Sequence, residues 1–503
     1  MSAPATGHTA SLSVSSALAA DRLGAFTVGT TIASSVAPLT VVALVVSTAL
    51  AATGLVGVPI AIIAVALLLM LFVVGYLAMA RHIPNTGAFG AYVAQGIGRP
   101  FGVGTSWVAL ATYLSFELCC FGGFAAAIAV PLLQKWFDVS TPWFIPAFIM
   151  LILVAVLGAN EVKVSGKVLI VLVVGETILV VVYSIAIIST PGFHFTFAAL
   201  APANLWGPGA GTLFVIGMTA FAGIEQSAVY IEESKNPLRT IPIATYATIA
   251  TICAVYVFAS LVVISAGGPQ IIARATTEGP DLFFNEATVL LGTAALTVGA
   301  ILLGTSLIAA KLAFHNAVSR YAYALGREGV LLRVLGRTTR KGAPRTASVI
   351  QSVLVFTVLA LYAAAGWDPL VQLFYWGSTT GGFGVLLLIT LTSIAVIAYF
   401  ARDPHGEKLW HRLLAPTLAS GILLFVAYLA TDNLPLLFAV DPGTGPARIV
   451  PLAFLIIFAA GICWGLILRR TRPTVYEGIG RGTRATVSAS TSALSAVFQG
   501  TTR

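Results

Sequence analysis

The sequence predicts an all-α integral membrane fold of about twelve transmembrane helices. Three observations predict it. Of 503 residues, 58% are hydrophobic and only 9% charged, with a mean hydropathy of +0.97. A soluble domain carries about 25% charged residues, so too few remain here to cover a water-facing surface, and lipid is the main solvent. Apolar runs of the roughly 20 residues that a helix needs to cross a bilayer recur along the chain. The basic residues, finally, fall in alternate loops.

The spans follow in order. Residues 1–20 are rich in Ser, Ala and Thr, hold no Lys or Arg, and lack the basic start of a signal peptide; they read as a disordered cytoplasmic N-tail. Residues 23–80 carry no charge, and Gly54 and Gly57 split them into spans at about 24–48 and 57–80. Further spans fall near 102–130, 142–159, 167–189, 211–231, 242–266, 288–318, 347–366, 370–399, 412–431 and 450–468. The membrane domain thus covers 21–470, with a first repeat at about 24–189, a second at about 211–399 and two more helices at about 412–468. The segment 471–503, rich in Ser, Thr, Ala and Gly without a periodic apolar face, reads as a disordered cytoplasmic C-tail.

Twelve spans put both termini on one side. The loops on that side and the tails collect 23 of the 27 Lys and Arg residues; the other side has only Lys135, Arg274 and Arg448, and Lys311 falls within the eighth span. By the positive-inside rule both ends face the cytoplasm of a multi-pass cell-membrane protein. The net charge of +9 therefore reflects topology and not a nucleic-acid partner. The basic stretch Arg320–Arg345 is an orientation signal and could also bind anionic membrane lipid. Cys119, Cys120, Cys253 and Cys463 lie in apolar runs without disulfide or zinc spacing and read as small apolar fillers.

Two spans look breakable in corresponding places. The first reads Val28-Gly29-Thr30-Thr31-Ile32-Ala33-Ser34-Ser35-Val36-Ala37-Pro38, where Pro38 cannot donate to the Ser34 carbonyl. The sixth reads Thr219-Ala220-Phe221-Ala222-Gly223-Ile224-Glu225-Gln226-Ser227. Non-helical backbone at membrane depth is tolerated only where it lines a cavity or is buried in protein, and paired interrupted helices point to a transporter's midplane site. Close packing of small residues is the plainer alternative for each segment alone.

The run Phe221–Glu225 followed by Glu232-Glu233-Ser234-Lys235-Asn236-Pro237-Leu238-Arg239-Thr240-Ile241-Pro242 resembles amino-acid permeases of the amino acid–polyamine–organocation superfamily. So do Arg81–Val93 with Gly98-Arg99-Pro100, and His315–Tyr321 with Gly326-Arg327-Glu328-Gly329. The resemblance covers about residues 21–470. It implies a 5+5 inverted-repeat (LeuT-type) core with two extra helices, and a substrate site between broken helices 1 and 6. Ala33, Ser34 and Ser35 stand where many relatives have Gly-x-Gly, and Thr219 stands where some have an aromatic gate, which leaves Phe221 as the nearer gate. The substrate-binding candidates are Ile32, Ala33, Ser34, Ser35, Thr219, Phe221, Ala222, Gly223 and Ile224.

A charge in the bilayer costs about 3 kcal/mol or more, which makes four residues candidates. Glu225 follows the break in the sixth span, and the resemblance ties it to proton coupling or conformational change. Glu176, in the fifth span, could carry a proton, pair with a cation or be a buried hydrogen-bonded acid. Lys311 could pair with Glu176 or Glu225, or snorkel; Glu117, in the third span, has the least to recommend it.

The expected function is secondary active transport of an amino acid, coupled to a proton, by alternating access. Exchange or export of polyamines or amino-acid-derived metabolites is the alternative. No phosphate-binding loop, metal-ligand spacing or nucleophile–base constellation stands out, so no cofactor beyond a coupled H+ and no enzymatic activity are expected. The expected partners are a small amino acid or amine and membrane lipid.

Overall fold

The computed structural model describes residues 23–158, 162–207, 209–339 and 342–482. Among them there is no strand; the one ladder-like contact is an isolated bridge between Leu23 and Ser234. Eleven helices are long and apolar enough to cross a membrane, and the shorter apolar helix Phe144–Gly158 stands where the fourth span is expected. We number these twelve α1 (Ala25–Thr53), α2 (Val58–His82), α3 (Arg99–Phe137), α4 (Phe144–Gly158), α5 (Val162–Ile188), α6 (Ala210–Glu233), α7 (Pro237–Gly267), α8 (Ala294–Arg327), α9 (Arg345–Ala364), α10 (Pro369–Arg402), α11 (Trp410–Asp432) and α12 (Gly445–Thr471).

The turn between α1 and α2 forms where the glycines predict it. Gly54 takes a left-handed φ of 64° and donates its N–H to the Leu50 carbonyl, closing α1. Pro59 sits in the first turn of α2, where its missing N–H costs nothing. The eighth span departs from expectation. It starts at Ala294 and not near 288, because Gly292, at φ 69°, ends a separate short helix, Leu282–Leu291.

Helices α1 and α6 are interrupted and stand five spans apart, the interval of a five-plus-five repeat; α11 and α12 follow as the two extra helices. The core lies where α1, α3, α6, α8 and α10 meet. Small residues set how closely these helices approach. A side chain on Gly381 would strike the Phe116 ring, and one on Gly461 would strike the backbone of Gly104, so α10 and α12 both lie tight against α3. Outward-facing positions of the peripheral helices are apolar and exposed, among them Ile152, Val171, Ile178, Val353, Leu361 and Leu455. Such a belt has lipid as its natural solvent.

One expectation is corrected at the carboxyl end. The segment after Thr471 is not structureless throughout. Pro473–Gly478 forms a short helix, and Val475 and Ile479 are buried against Ala94, Val103, Leu325 and Val330. The Gly480 and Gly482 N–H groups both donate to the Glu328 carboxylate, at 3.1 and 3.2 Å. The apolar residues of this strap span barely more than one helical turn, too few for a periodicity to register. The tails 1–20 and 483–503 lie outside the described residues.

Replacing a buried Ile by Ala costs about 2–5 kcal/mol. Ile479→Ala is therefore expected to release the strap. Limited proteolysis should cut the variant near residue 480 much faster than the wild type; equal rates would show that the strap is not docked.

Candidate functional site

The first break lies slightly later than the serine cluster suggests. Ala25–Val36 is an unbroken helix; the chain turns at Ala37, left-handed at φ 52°, and a new helix starts at Pro38. The cause is local: a residue before proline is pushed out of the right-handed helical region, and Pro38 has no N–H for the preceding turn. Ile32, Ala33, Ser34 and Ser35 are thus helical and point different ways. Ile32 is buried in the core, and Ala33 faces a lateral groove between α1, α5 and α7. The Ser34 hydroxyl donates to Thr30 O at 2.8 Å and lies 3.4 Å from Leu169 O on α5. Only Ser35 reaches the central cavity, and its hydroxyl donates to Gln226 Oε1 on α6 at 3.1 Å.

The second break falls where expected. Helix α6 stops at Ala220, turns through Phe221-Ala222-Gly223, and resumes as a tight 3-10 helix over Ile224–Glu233. Gly223 sits at φ 113°, and a β-carbon there would collide with Ser35. The two breaks therefore touch. Thr219 and Ala222 line the cavity. Phe221 does not line it: the ring is buried beside Tyr256 of α7, with centroids 5.9 Å apart. Ile224 is buried outside it as well.

Two carboxylates close the breaks. Glu176 Oε2 accepts the Leu39 N–H, a free amide at the start of the second half of α1, at 3.2 Å. Beside it Thr40 donates to Ser306 of α8 at 3.0 Å. Glu225 Oε2 accepts the Gly223 N–H at 2.9 Å, and its Oε1 accepts the Tyr113 hydroxyl at 2.9 Å. Tyr76 donates to the Glu225 carbonyl at 2.8 Å. Lys311 pairs with neither acid. Its ammonium bonds Glu117, so the residue with the least sequence support holds a fully enclosed ion pair.

The central cavity is small, about 50 Å³. Its polar groups are Ser35, Thr40, Thr219, Ser378 and the helix ends; the rest is Val, Leu, Ala, Phe and the Cys119–Cys120 pair. No charged side chain lines it. Val45, Thr219, Phe374 and Ser378 also line a vestibule of about 390 Å³, which runs between the connections that follow α7 and α11.

The opposite, arginine-rich end is shut. Leu23 N donates to Glu233 O at 3.0 Å and Lys235 N to Leu23 O at 2.8 Å, tying the start of α1 to the end of α6. Arg320 of α8 grips Glu233 with bonds of 2.6 and 3.2 Å, and Arg327 grips Glu232 with 2.8 and 2.9 Å. Arg81 closes on Glu407 nearby, at 2.7 and 2.9 Å. Sequence reasoning had the Glu232-Glu233 and Gly326–Gly329 runs as family marks without a role. Their partners lie too far along the chain for any local signal.

Residues 23–462 match the amino acid permease family, and the chain belongs to it. It is a multi-pass membrane permease of the amino acid–polyamine–organocation type, not an enzyme. Among its relatives, the branched-chain amino acid permease BcaP of Lactococcus lactis is 25% identical over 58% of this chain and 67% of that protein. The low-affinity putrescine importer PlaP of Escherichia coli is 25% identical over 69% of this chain and 74% of its own. The histidine permease HisP of Lactococcus lactis is 25% identical over 77% and 83%.

Gly223→Ala places a side chain at a left-handed backbone position and against Ser35. Left-handed strain alone costs about 1–3 kcal/mol. The thermal unfolding midpoint should fall clearly, whereas Gly421→Ala, which meets nothing within 4 Å, should leave it unchanged or raise it.

Proposed function

We propose that the protein is a proton-coupled secondary transporter of neutral amino acids with aliphatic side chains, working by alternating access. The observation that carries this is the central cavity: apolar walls, no charged side chain, and two broken helices at its edge. A charged ligand would lose its water there and gain no counter-charge. A zwitterion needs none. Its carboxylate suits the Ser35, Thr40, Thr219 and Ser378 hydroxyls along the wall, and its ammonium suits the Ser35 carbonyl, whose helical partner Leu39 N–H is turned to Glu176. The aliphatic part then meets Val36, Val41, Phe116, Leu307 and Phe374. The relationship to a branched-chain amino acid permease supports this reading. Relationship to a putrescine importer favours the alternative, an amine carrier, but a diamine calls for carboxylates in the wall.

The positive-inside rule makes the arginine-rich end cytoplasmic. The described conformation is then outward-facing: vestibule open to the exterior, cytoplasmic end held by the Arg320–Glu233 and Arg327–Glu232 pairs. Glu225 is the coupling group. A proton on its carboxylate turns one acceptor oxygen into a donor. That frees either the Gly223 amide or the Tyr113 hydroxyl and loosens the second break.

Uptake of labelled L-leucine and putrescine into proteoliposomes, with and without an imposed proton gradient, tests this. Leucine should accumulate with an inward gradient and stop on uncoupling, and putrescine should not enter. Glu225→Gln should bind leucine yet fail to concentrate it. Putrescine flux without leucine flux would overturn the reading in favour of the amine carrier.

A further inference from the structure

Behind the cavity wall lies a second polar cluster, which the reading above leaves unused. Phe116 and Ala310 face the cavity, but their chain neighbours Glu117 and Lys311 point away from it, into the seam where α3, α8 and α9 meet. Glu117, Lys311, His315, Ser348 and Gln351 are all buried there. Glu117 Oε1 is shared by the Lys311 ammonium and, at 3.1 Å, His315 Nδ1. Its Oε2 meets the Gln351 amide nitrogen. The Gln351 oxygen accepts the Ser319 hydroxyl at 2.8 Å, and the Glu117 carboxylate, an acceptor, requires the amide nitrogen on its side. Glu117 thus meets the Lys311 ammonium, the Gln351 amide and His315 Nδ1, and accepts from all three when the ring carries its hydrogen on Nδ1.

The second nitrogen of His315 is different. Nε2 lies 2.8 Å from Ser348 Oγ. A hydroxyl donates or accepts as required, so Nε2 can be bare or protonated with no heavy atom moving. Ser348 sits in the first turn of α9, three residues beyond Arg345, which starts that helix at the arginine-rich end. Exchangeable groups therefore run in file from one turn inside that end, where Ser348 is buried, through His315 to Glu117 and Lys311 against the cavity wall. On the inner side the Lys311 ammonium lies 5.0 Å from the Phe121 ring.

We propose that His315, with Ser348, Glu117 and Lys311, is a second proton-binding site, filled from the arginine-rich end and acting on the α3–α8 seam behind the substrate cavity. It rests on the proton-coupled transport proposed above and adds a site that Glu225 does not supply. With His315 neutral, the cluster carries Glu117 and Lys311 in balance. A proton on Nε2 adds one positive charge, strengthens the His315 bond to Oε1 and repels Lys311 from the same oxygen. The contact between two cavity-forming helices then changes with protonation. The groups facing His315 among the described residues can be named by helix: Glu117 on α3, Lys311 and Arg320 on α8, and Ser348 on α9, while Cys120 of α3 faces Lys311 and Gln351 of α9 faces Glu117. From α4, Gly158 faces the ring, and a β-carbon there would press on it. Arg320 is committed to Glu233.

The test uses the full-length chain in lipid nanodiscs and in proteoliposomes. Nitrogen-15 histidine spectra, with the His315 signals identified by their loss in His315→Gln, should show Nε2 gaining a proton as the pH is lowered. Ser348→Ala, which leaves the ring in place, should bind that proton several-fold more weakly. In vesicles His315→Gln and Ser348→Ala should move the pH profile of L-leucine uptake, where a merely structural role would lower uptake equally at every pH. A His315 that never titrates, or a Ser348→Ala variant with wild-type titration and pH profile, would overturn the relay. If the wild type moves no leucine, the transport reading fails, and the histidine spectra still decide the relay. If His315→Gln does not fold, the wild type and Ser348→Ala carry the comparison.

Discussion

The constraint on which the rest depends is that, at membrane depth, no backbone amide or carbonyl goes unmet at low cost. Ten of the spans meet it by staying helical. Helices α1 and α6 do not, and each break must find partners from elsewhere in the protein. Those partners are carboxylates from side chains already in the bilayer: Glu176 on the Leu39 amide and Glu225 on the Gly223 amide. The same two acids that sequence reasoning marks as too costly to be idle thus have a structural task at the breaks. A proton arriving at either would change that task, which is how the fold can connect acid–base chemistry to helix movement.

The second consequence concerns shape. Because α1 and α6 break beside each other, with Ser35 against Gly223, the cavity has helix ends at its edge and apolar side chains for its walls. Charge is kept one layer back, in the Glu117–Lys311 pair behind α3 and α8, and at the arginine-rich end in the Arg320–Glu233 and Arg327–Glu232 pairs. A truncated partner in such a buried pair leaves an uncompensated charge and costs about 3–5 kcal/mol. In the alternating access proposed above, opening the shut end separates the Arg320–Glu233 and Arg327–Glu232 pairs.

Much of this was legible in the sequence, for identifiable reasons. Uninterrupted apolar runs and the Gly54–Gly57 punctuation give the spans, because membrane helices are long and hydrophobic nearly all round. The sixth-span break was legible from Gly223 beside a carboxylate. The first was placed about two residues early, because Thr30, Thr31, Ser34 and Ser35 look like unwound backbone while in fact three of those hydroxyls bond carbonyls one turn back in the same helix. The proline was the better guide. The Lys311–Glu117 pairing joins residues 194 positions apart, and nothing in a single sequence reports which of several membrane acids a lysine will meet. Nothing local in the sequence marks Tyr76 and Tyr113, whose hydroxyls the fold sets on Glu225.

The claim that the touching breaks frame the substrate site is tested most directly by the chain's own thiols. Cys119 and Cys120 line the cavity, while Cys253 and Cys463 do not. With the latter two replaced by serine, the rate of alkylation by a small membrane-impermeant thiol reagent can be followed by mass spectrometry, with and without L-leucine. Slower labelling of Cys119 and Cys120 in the presence of leucine, and no slowing by putrescine, is the predicted result. Brisk labelling that leucine leaves untouched, in protein shown to transport it, would place the substrate somewhere else.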